Sequence, residues 1–101
     1  MTRYRKPLTA RSSKWRSLSN EFLAGKVCAC CGRKEKLVAH HILPVHEFPE
    51  HELDEQNLIP LCEGRTVNCH LAVGHLFDWR SFNADAVSDA KYINDKVRLR
   101  P

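Results

Sequence analysis

Four cysteines set in two pairs limit this chain more than any other feature. Cys28-x-x-Cys31 stands directly ahead of Gly32, and Cys62 and Cys69 follow well downstream. The short first gap lets two thiolates reach one ion while nearby backbone N–H groups point at the sulfurs. Tetrahedral coordination then needs a second pair that only folding can bring up. The second spacing is longer than in a doubled CxxC, so a turn must bridge it. Cys30 lies between the first two and is a bystander. The competing reading is a set of buried, reduced thiols. The knuckle, its glycine and the strand-to-helix position of the second pair together favour zinc. A 101-residue chain buries a modest fraction of its surface, so such a staple matters to its folding.

Composition narrows the setting. With 28% charged and 43% hydrophobic residues the chain has globular rather than disordered composition. No apolar run approaches the length of a membrane-spanning helix, and no apolar signal core follows the basic N-terminus. A cytoplasmic protein without membrane contact is expected, with its five cysteines reduced and free for metal. The overall charge of +4 is uneven. Residues 1–36 hold ten Lys/Arg against two acids, a net of +8, and residues 37–101 hold six against ten, a net of −4. The basic end suits phosphate contacts as well as it suits a merely solvated arm.

Residues 1–11 lack periodicity and read as a flexible basic arm; residues 12–101 read as one domain. Ser12 or Ser13 can cap a helix whose apolar positions are Trp15, Leu18, Phe22 and Leu23, ended by Gly25. Residues 37–43 predict a strand stopped by Pro44. Residues 44–56 form an acidic loop with at most one helical turn, and 57–62 a second strand with Pro60 suited to an edge. A helix is expected from about Asn68, its N-cap, to Trp79. A last helix is expected from about Ala84 to Val97, capped by Asn83, with Val87, Ala90, Ile93 or Asn94, and Val97 near one face.

The chemistry gathers around His40-His41. Hydrolysing a phosphodiester needs a base for water, a Lewis acid on the phosphate and leaving oxygen, and something to orient the base. Of two adjacent histidines, one can bind metal as neutral imidazole while the other keeps a nitrogen to take a proton near neutral pH. Asn57 is uncharged and can fix the base without moving its pKa as a carboxylate would. In a regular strand His40 and His41 point to opposite faces, so the strand is expected to bend or bulge there, or to be ending already before Pro44. His70 follows a cysteine and can face a second site. His75 lies about 140° further round an ideal helix, so only a local irregularity near Gly74 would let it join His70. His46 and His51, in the acidic loop, read as surface residues.

The stretches CACCG, HHILPV, NLIPLC and CHLAVGH, spanning about residues 27–80, resemble HNH endonucleases of the zinc-bound type, especially small phage and prophage members. The resemblance implies an α+β fold: a small, treble-clef-like ββα-metal domain with a structural four-cysteine zinc site and flanking N- and C-terminal helices. It implies Cys28, Cys31, Cys62 and Cys69 as zinc ligands, His41 as general base and Asn57 as the central asparagine. It implies His40 and His70 as ligands of the catalytic metal, with His75 fitting a pattern of an extra histidine ligand. His40 stands where many members have Asp, which opens the choice of ion among Mg, Mn, Ni, Co and Zn; imidazole favours the later ones. The implied reaction is hydrolysis of DNA, nicking or cutting the duplex, to 5′-phosphate and 3′-hydroxyl ends. Phage-encoded members often work beside the terminase in genome packaging, which makes terminase a partner to look for. Two other classes remain in view. A non-catalytic, zinc-stapled DNA-binding module would use the same cysteines and arm without needing His40, His41 and Asn57. A protein-interaction adaptor would neither cut DNA nor bind it in a salt-sensitive way. Sequence specificity and oligomeric state are not written in the chain.

Overall fold

A computed structural model of the chain describes residues 11–100. The expected basic arm, apart from Arg11, therefore lies outside the described residues, as does Pro101. Helix α1 runs Trp15–Leu23. Ser12 starts it: its hydroxyl accepts the Lys14 N–H at 3.1 Å and its carbonyl the Trp15 N–H at 3.1 Å. Past its end Gly25 takes a φ of +74°, which a side chain would strain. Phe22 is the buried residue of α1, with Trp15, Leu18 and Leu23 half-buried beside it.

Strands β1 (Leu37–His41) and β2 (Leu58–Cys62) pair antiparallel, from Leu37 opposite Cys62 to His41 opposite Leu58. Two strands do not hold by themselves in water. Here they are covered by α1, by a single π-helical turn (His70–Gly74) and by helix α2 (Ala86–Leu99). The ladder is regular through His41 and the strand ends there, ahead of Pro44, so of the distortions expected at the histidine pair the structure has the early end and no bulge. The acidic loop is more ordered than expected, with two 3-10 turns, Pro49–His51 and Glu55–Asn57, the second capped by Asp54 Oδ1 on the Gln56 N–H at 3.0 Å.

The core is small and rich in sulfur. Cys28, Cys30, Cys62 and Cys69 are buried together with Ile59, Leu61, Val73, Ala86 and Ala90. Helix α2 presents Ala86 and Ala90 inward, with Asn94 and Val97 partly buried on the same side, while Val87 faces solvent rather than the core. Alanines let α2 approach closely, and Asn94 Nδ2 donates to the Cys30 carbonyl at 3.2 Å, tying the helix to the knuckle. Asn83 does more than cap. It is buried, and its side-chain oxygen accepts the Asp85 N–H at 2.9 Å while Nδ2 donates to the Val73 carbonyl at 3.0 Å.

The expected helix over 68–79 is the main correction. Asn68 caps as expected, Oδ1 accepting the Leu71 N–H at 2.9 Å, but the helical turn ends at Gly74. Leu76 and Phe77 then take φ of +54° and +67°, and the Phe77 N–H donates back to the Leu71 carbonyl at 2.8 Å, a Schellman-like closure made without glycine. Leu76, Phe77 and Trp79 are exposed rather than buried on a helix face. Among the described residues no helix is long and apolar enough to cross a membrane. The α+β arrangement of sheet, turn and four-cysteine cluster agrees with the expected ββα-metal fold.

Candidate metal centres and catalytic cleft

The four cysteines converge. Their sulfurs lie within 4.8 Å of one another, with Cys31 Sγ and Cys62 Sγ 3.6 Å apart. Zinc–sulfur bonds of about 2.3 Å around a tetrahedron put sulfurs about 3.8 Å apart, so the cluster has the dimensions of such a site. The knuckle is built as its spacing predicts: Gly32 sits at φ +84°, and its N–H donates to the Cys28 carbonyl at 2.9 Å. The N–H groups of Cys31 and Cys62 point at Cys28 Sγ from 3.5 and 3.4 Å. The Cys28 thiol is pulled down to about 4, mainly by a hydrogen bond from the Cys69 thiol and further by those backbone donors, against its burial. Cys69 is held protonated in exchange. Backbone donors and neighbouring thiols that favour a thiolate at Cys28 suit a cation ligand. Cys30 is buried beside it, and desolvation raises its thiol pKa.

A second cluster is formed by His40, His70 and His75, whose nitrogens also lie within 4.8 Å of one another. Their rings stand edge to face in a triangle, with centroid separations of 4.8, 4.9 and 4.9 Å. His75 joins because the turn is π rather than α. Widening the turn brings a residue five positions on back toward the same side, where an α-helix would send it away. Two rings have their Nδ1 engaged: His70 donates to Glu63 Oε1 at 2.8 Å, and His75 to the Ser81 carbonyl at 2.7 Å. In the neutral ring such a bond places the proton on Nδ1 and leaves Nε2 as the metal-binding nitrogen. Among the described residues His40 Nε2, which is buried, has no hydrogen-bond partner, and in an ordinary core that would cost free energy with no return. Burial, then the neighbouring His70 and His75, lowers the His40 pKa to about 3, so the ring stays neutral. Burial likewise lowers His70, against the pull of Glu63. Three imidazoles whose nitrogens lie within 4.8 Å of one another, one of them otherwise orphaned, fit a divalent ion.

Gly74 makes this packing possible. A Cβ there would lie 3.0 Å from His40 Cε1 and Nε2 and 3.2 Å from Cδ2. Its φ is not in the left-handed region, so the glycine serves close approach rather than a special backbone.

His41 ends β1 and turns to a different set of neighbours. Its ring stacks on Trp15 at 4.4 Å. Nε2 donates to the Glu52 carbonyl at 2.9 Å, which leaves Nδ1 as the basic nitrogen, with Arg11 Nη1 3.4 Å away. Burial, and after it the Arg11 charge, lowers the His41 pKa, while the Glu52 carbonyl opposes. His41 therefore stays neutral below the usual histidine range. Asn57 does not touch this ring. Buried at the end of the loop, its Oδ1 accepts the Leu43 N–H at 2.9 Å, and Nδ2 donates to the carbonyls of Leu43 at 3.1 Å and His51 at 3.4 Å. It pins the loop that carries Glu52, and so acts on His41 at one remove. The Glu52 carboxylate in turn accepts the Ser12 N–H at 2.9 Å, joining the loop to the start of α1.

Although the strand is regular, His40, His41, His70 and His75 all line one open cleft of about 740 Å³, walled by α1 on one side and by residues 79–82 on the other. His46 also reaches this cleft, while His51 lies beside Asp54 and Glu50. Sequence reading missed Glu52, Glu63, Ser81, Arg11 and Trp79. Glu52 and Ser81 act through backbone carbonyls, which leave no residue-type signal. Glu63 stands seven residues from His70, and only the turn between them brings the two together.

The HNH endonuclease family model matches residues 28–76, a segment containing all four clustered cysteines, His40, His41, Asn57, His70 and His75. No curated protein and no solved structure matches the chain.

Proposed function

The segment from residue 28 to residue 76 belongs to the HNH endonuclease family, and from that premise we propose that the protein is a metal-dependent endonuclease that hydrolyses DNA phosphodiester bonds. The observation that carries this is the pairing of two differently prepared histidine sites on one cleft: three imidazoles with nitrogens close enough to share an ion, and a fourth tied through Nε2 to the Glu52 carbonyl with Nδ1 beside Arg11. The DNA-binding module without chemistry has no use for that fourth histidine.

In this reading His40, His70 and His75 hold one divalent ion, and Cys28, Cys31, Cys62 and Cys69 hold a structural Zn²⁺. The ion supplies Lewis acidity to the scissile phosphate and the leaving oxygen. His41 Nδ1 accepts a proton from water as the water oxygen bonds to phosphorus. The bond from phosphorus to the 3′ oxygen breaks, and that oxygen takes a proton from solvent. The products are a 3′-hydroxyl and a 5′-phosphate. The Glu52 carbonyl fixes the ring and stabilises the imidazolium that forms. Arg11, beside Nδ1, donates to a phosphate brought to the cleft. Arg33, Lys36 and Arg65 line a smaller groove beside Glu63 and extend the phosphate contacts. Residues 12–101 act as the nuclease domain, with 1–11 as its basic arm; a terminase remains the partner class to examine.

A plasmid-nicking series across Mg, Mn, Ni, Co and Zn tests this, with wild type and His41→Ala side by side. A general base contributes roughly 10²–10⁴-fold, so the variant should lose that much cleavage while keeping its zinc and its affinity for DNA. Cleavage by the variant at the wild-type rate refutes the role of His41. Retained DNA binding with no cleavage under any ion replaces the reading with the non-catalytic module.

A further inference from the structure

The chain has two tryptophans, and both stand on the cleft. Trp15 is partly buried and stacked on His41. Trp79 differs. Its indole meets the rings of His70 and His75 at 5.1 and 4.9 Å, yet 51% of the residue stays open to solvent. Leaving that indole in water forgoes the free energy that covering it would yield.

The backbone that delivers Trp79 is costly too. Leu76 and Phe77 occupy the left-handed region, which branched and bulky side chains avoid. Neither is repaid by burial, since Leu76 is 52% and Phe77 78% exposed. The loop is nonetheless held firmly. Phe77 N–H bonds Leu71, Asp78 N–H bonds the His75 carbonyl at 3.0 Å, Ser81 N–H bonds Asp78 at 2.7 Å, and the Ser81 carbonyl holds the His75 ring. Strain maintained by so many bonds, ending in an open indole against two candidate metal ligands, marks a positioned surface. Arg80 follows it on the same cleft.

What could cover an indole here is set by base geometry. Inside a stacked duplex each base face is hidden by its neighbours, and only base edges reach the grooves. An aromatic side chain gains a full face only from a base that has left the stack. We propose that Trp79 is a stacking platform for a nucleotide beside the scissile phosphate. The preferred substrate is then DNA with an unstacked base at the cut, as in a single strand, a flap or a loop, rather than closed duplex. The cleft, at about 740 Å³, is of the size that accommodates small ligands. This rests on the nuclease reading for the position of the cut, but not for the binding itself.

The test measures binding of end-labelled oligothymidylate, and of the same strand in duplex, by fluorescence anisotropy with no divalent ion added. Wild type should bind the single strand more tightly than the duplex. Trp79→Ala should lose about 5- to 100-fold on the single strand, the range for one aromatic–base stack, and little on the duplex. Trp79→Phe should keep most of the affinity. An abasic residue scanned along the strand closes a double-mutant cycle without relying on the variant's fold. At one position it should weaken wild type as much as Trp79→Ala does, and weaken that variant no further. Equal losses on strand and duplex, or additive losses in the cycle, overturn the proposal and leave Trp79 as a prop for His70 and His75. Loss in Trp79→Ala of self-association rather than of DNA binding overturns it in favour of a second copy of the chain. Absence of cleavage by wild type on every substrate refutes the nuclease reading instead, and leaves the binding cycle readable.

Discussion

Gly74→Ala adds one methyl group where there is least room for it. The new Cβ would stand 3.0 Å from two atoms of the His40 ring, several tenths of an ångström inside comfortable contact. The ring cannot slip freely, because His70 and His75 stand against it at 4.8 and 4.9 Å between centroids. Overpacking of this kind costs about 1–3 kcal/mol. Replacing glycine by alanine at an ordinary backbone conformation returns about 0.4–1 kcal/mol, so the middle of the two ranges leaves a net cost of about 1–2 kcal/mol. It can be borne in two ways. If the ring stays, the fold bears the cost, and for a domain of this size Tm falls by roughly 4–16 °C. If the ring swings aside, Tm is spared but an ion must push it back on binding. The same 1–2 kcal/mol then emerges as an affinity roughly 5- to 30-fold weaker. Melting of the zinc-loaded protein and calorimetric titration with Ni²⁺ or Mn²⁺ measure the two shares. Their sum should come to about 1–2 kcal/mol, with zinc content unchanged because the cysteine cluster is not touched. If both Tm and ion affinity match wild type, the histidine triangle is not confined as described and the reasoning fails.

Cys28→Ala removes the sulfur that two backbone N–H groups address and that lies at the centre of the core. Metal analysis should find no zinc, and circular dichroism should show an unfolded chain, since structural zinc is itself folding free energy. Glu63→Gln weakens the partner that fixes His70 Nδ1, so ion affinity should fall by about 10-fold or more, read by titration, with zinc retained. Asn57→Asp keeps the acceptor for the Leu43 N–H but sets a carboxylate against the carbonyls of Leu43 and His51. It should destabilise the fold by roughly 1–3 kcal/mol in chemical denaturation and slow cleavage as the loop carrying the Glu52 carbonyl loosens. The acid limb of the cleavage profile should lie below the ordinary histidine range, because burial and Arg11 both lower His41. The base remains neutral and active until pH falls through that lowered value. Arg11→Ala should move the limb upward, and an unmoved limb would rule out Arg11 as a contributor.

Much of this protein is legible without its fold. The Cys28-x-x-Cys31-Gly32 knuckle is a local motif whose spacing already dictates its geometry, and Gly32 takes the left-handed turn it supplies. The two strands, the first helix and the Asn68 cap follow from periodicity and side-chain chemistry that act over a few residues. The candidate ligands and base stand out because few other tasks call for those residue types together. What stayed hidden is what depends on contacts between distant segments. The helix expected through Trp79 stops at Gly74, where Asn83, from beyond the turn, takes the Gly74 and Val73 carbonyls and the Phe77 N–H closes back on Leu71. That interruption widens the turn and brings in His75, the histidine whose spacing had seemed wrong. The nitrogen that His70, His41 and His75 each offer was decided by a carboxylate, a carbonyl from the loop and a carbonyl beyond the turn. The sequence by itself determined which atoms could do chemistry here. Tertiary structure decided which of their lone pairs point at one another, because orientation is set by hydrogen bonds to backbone groups that every residue carries alike.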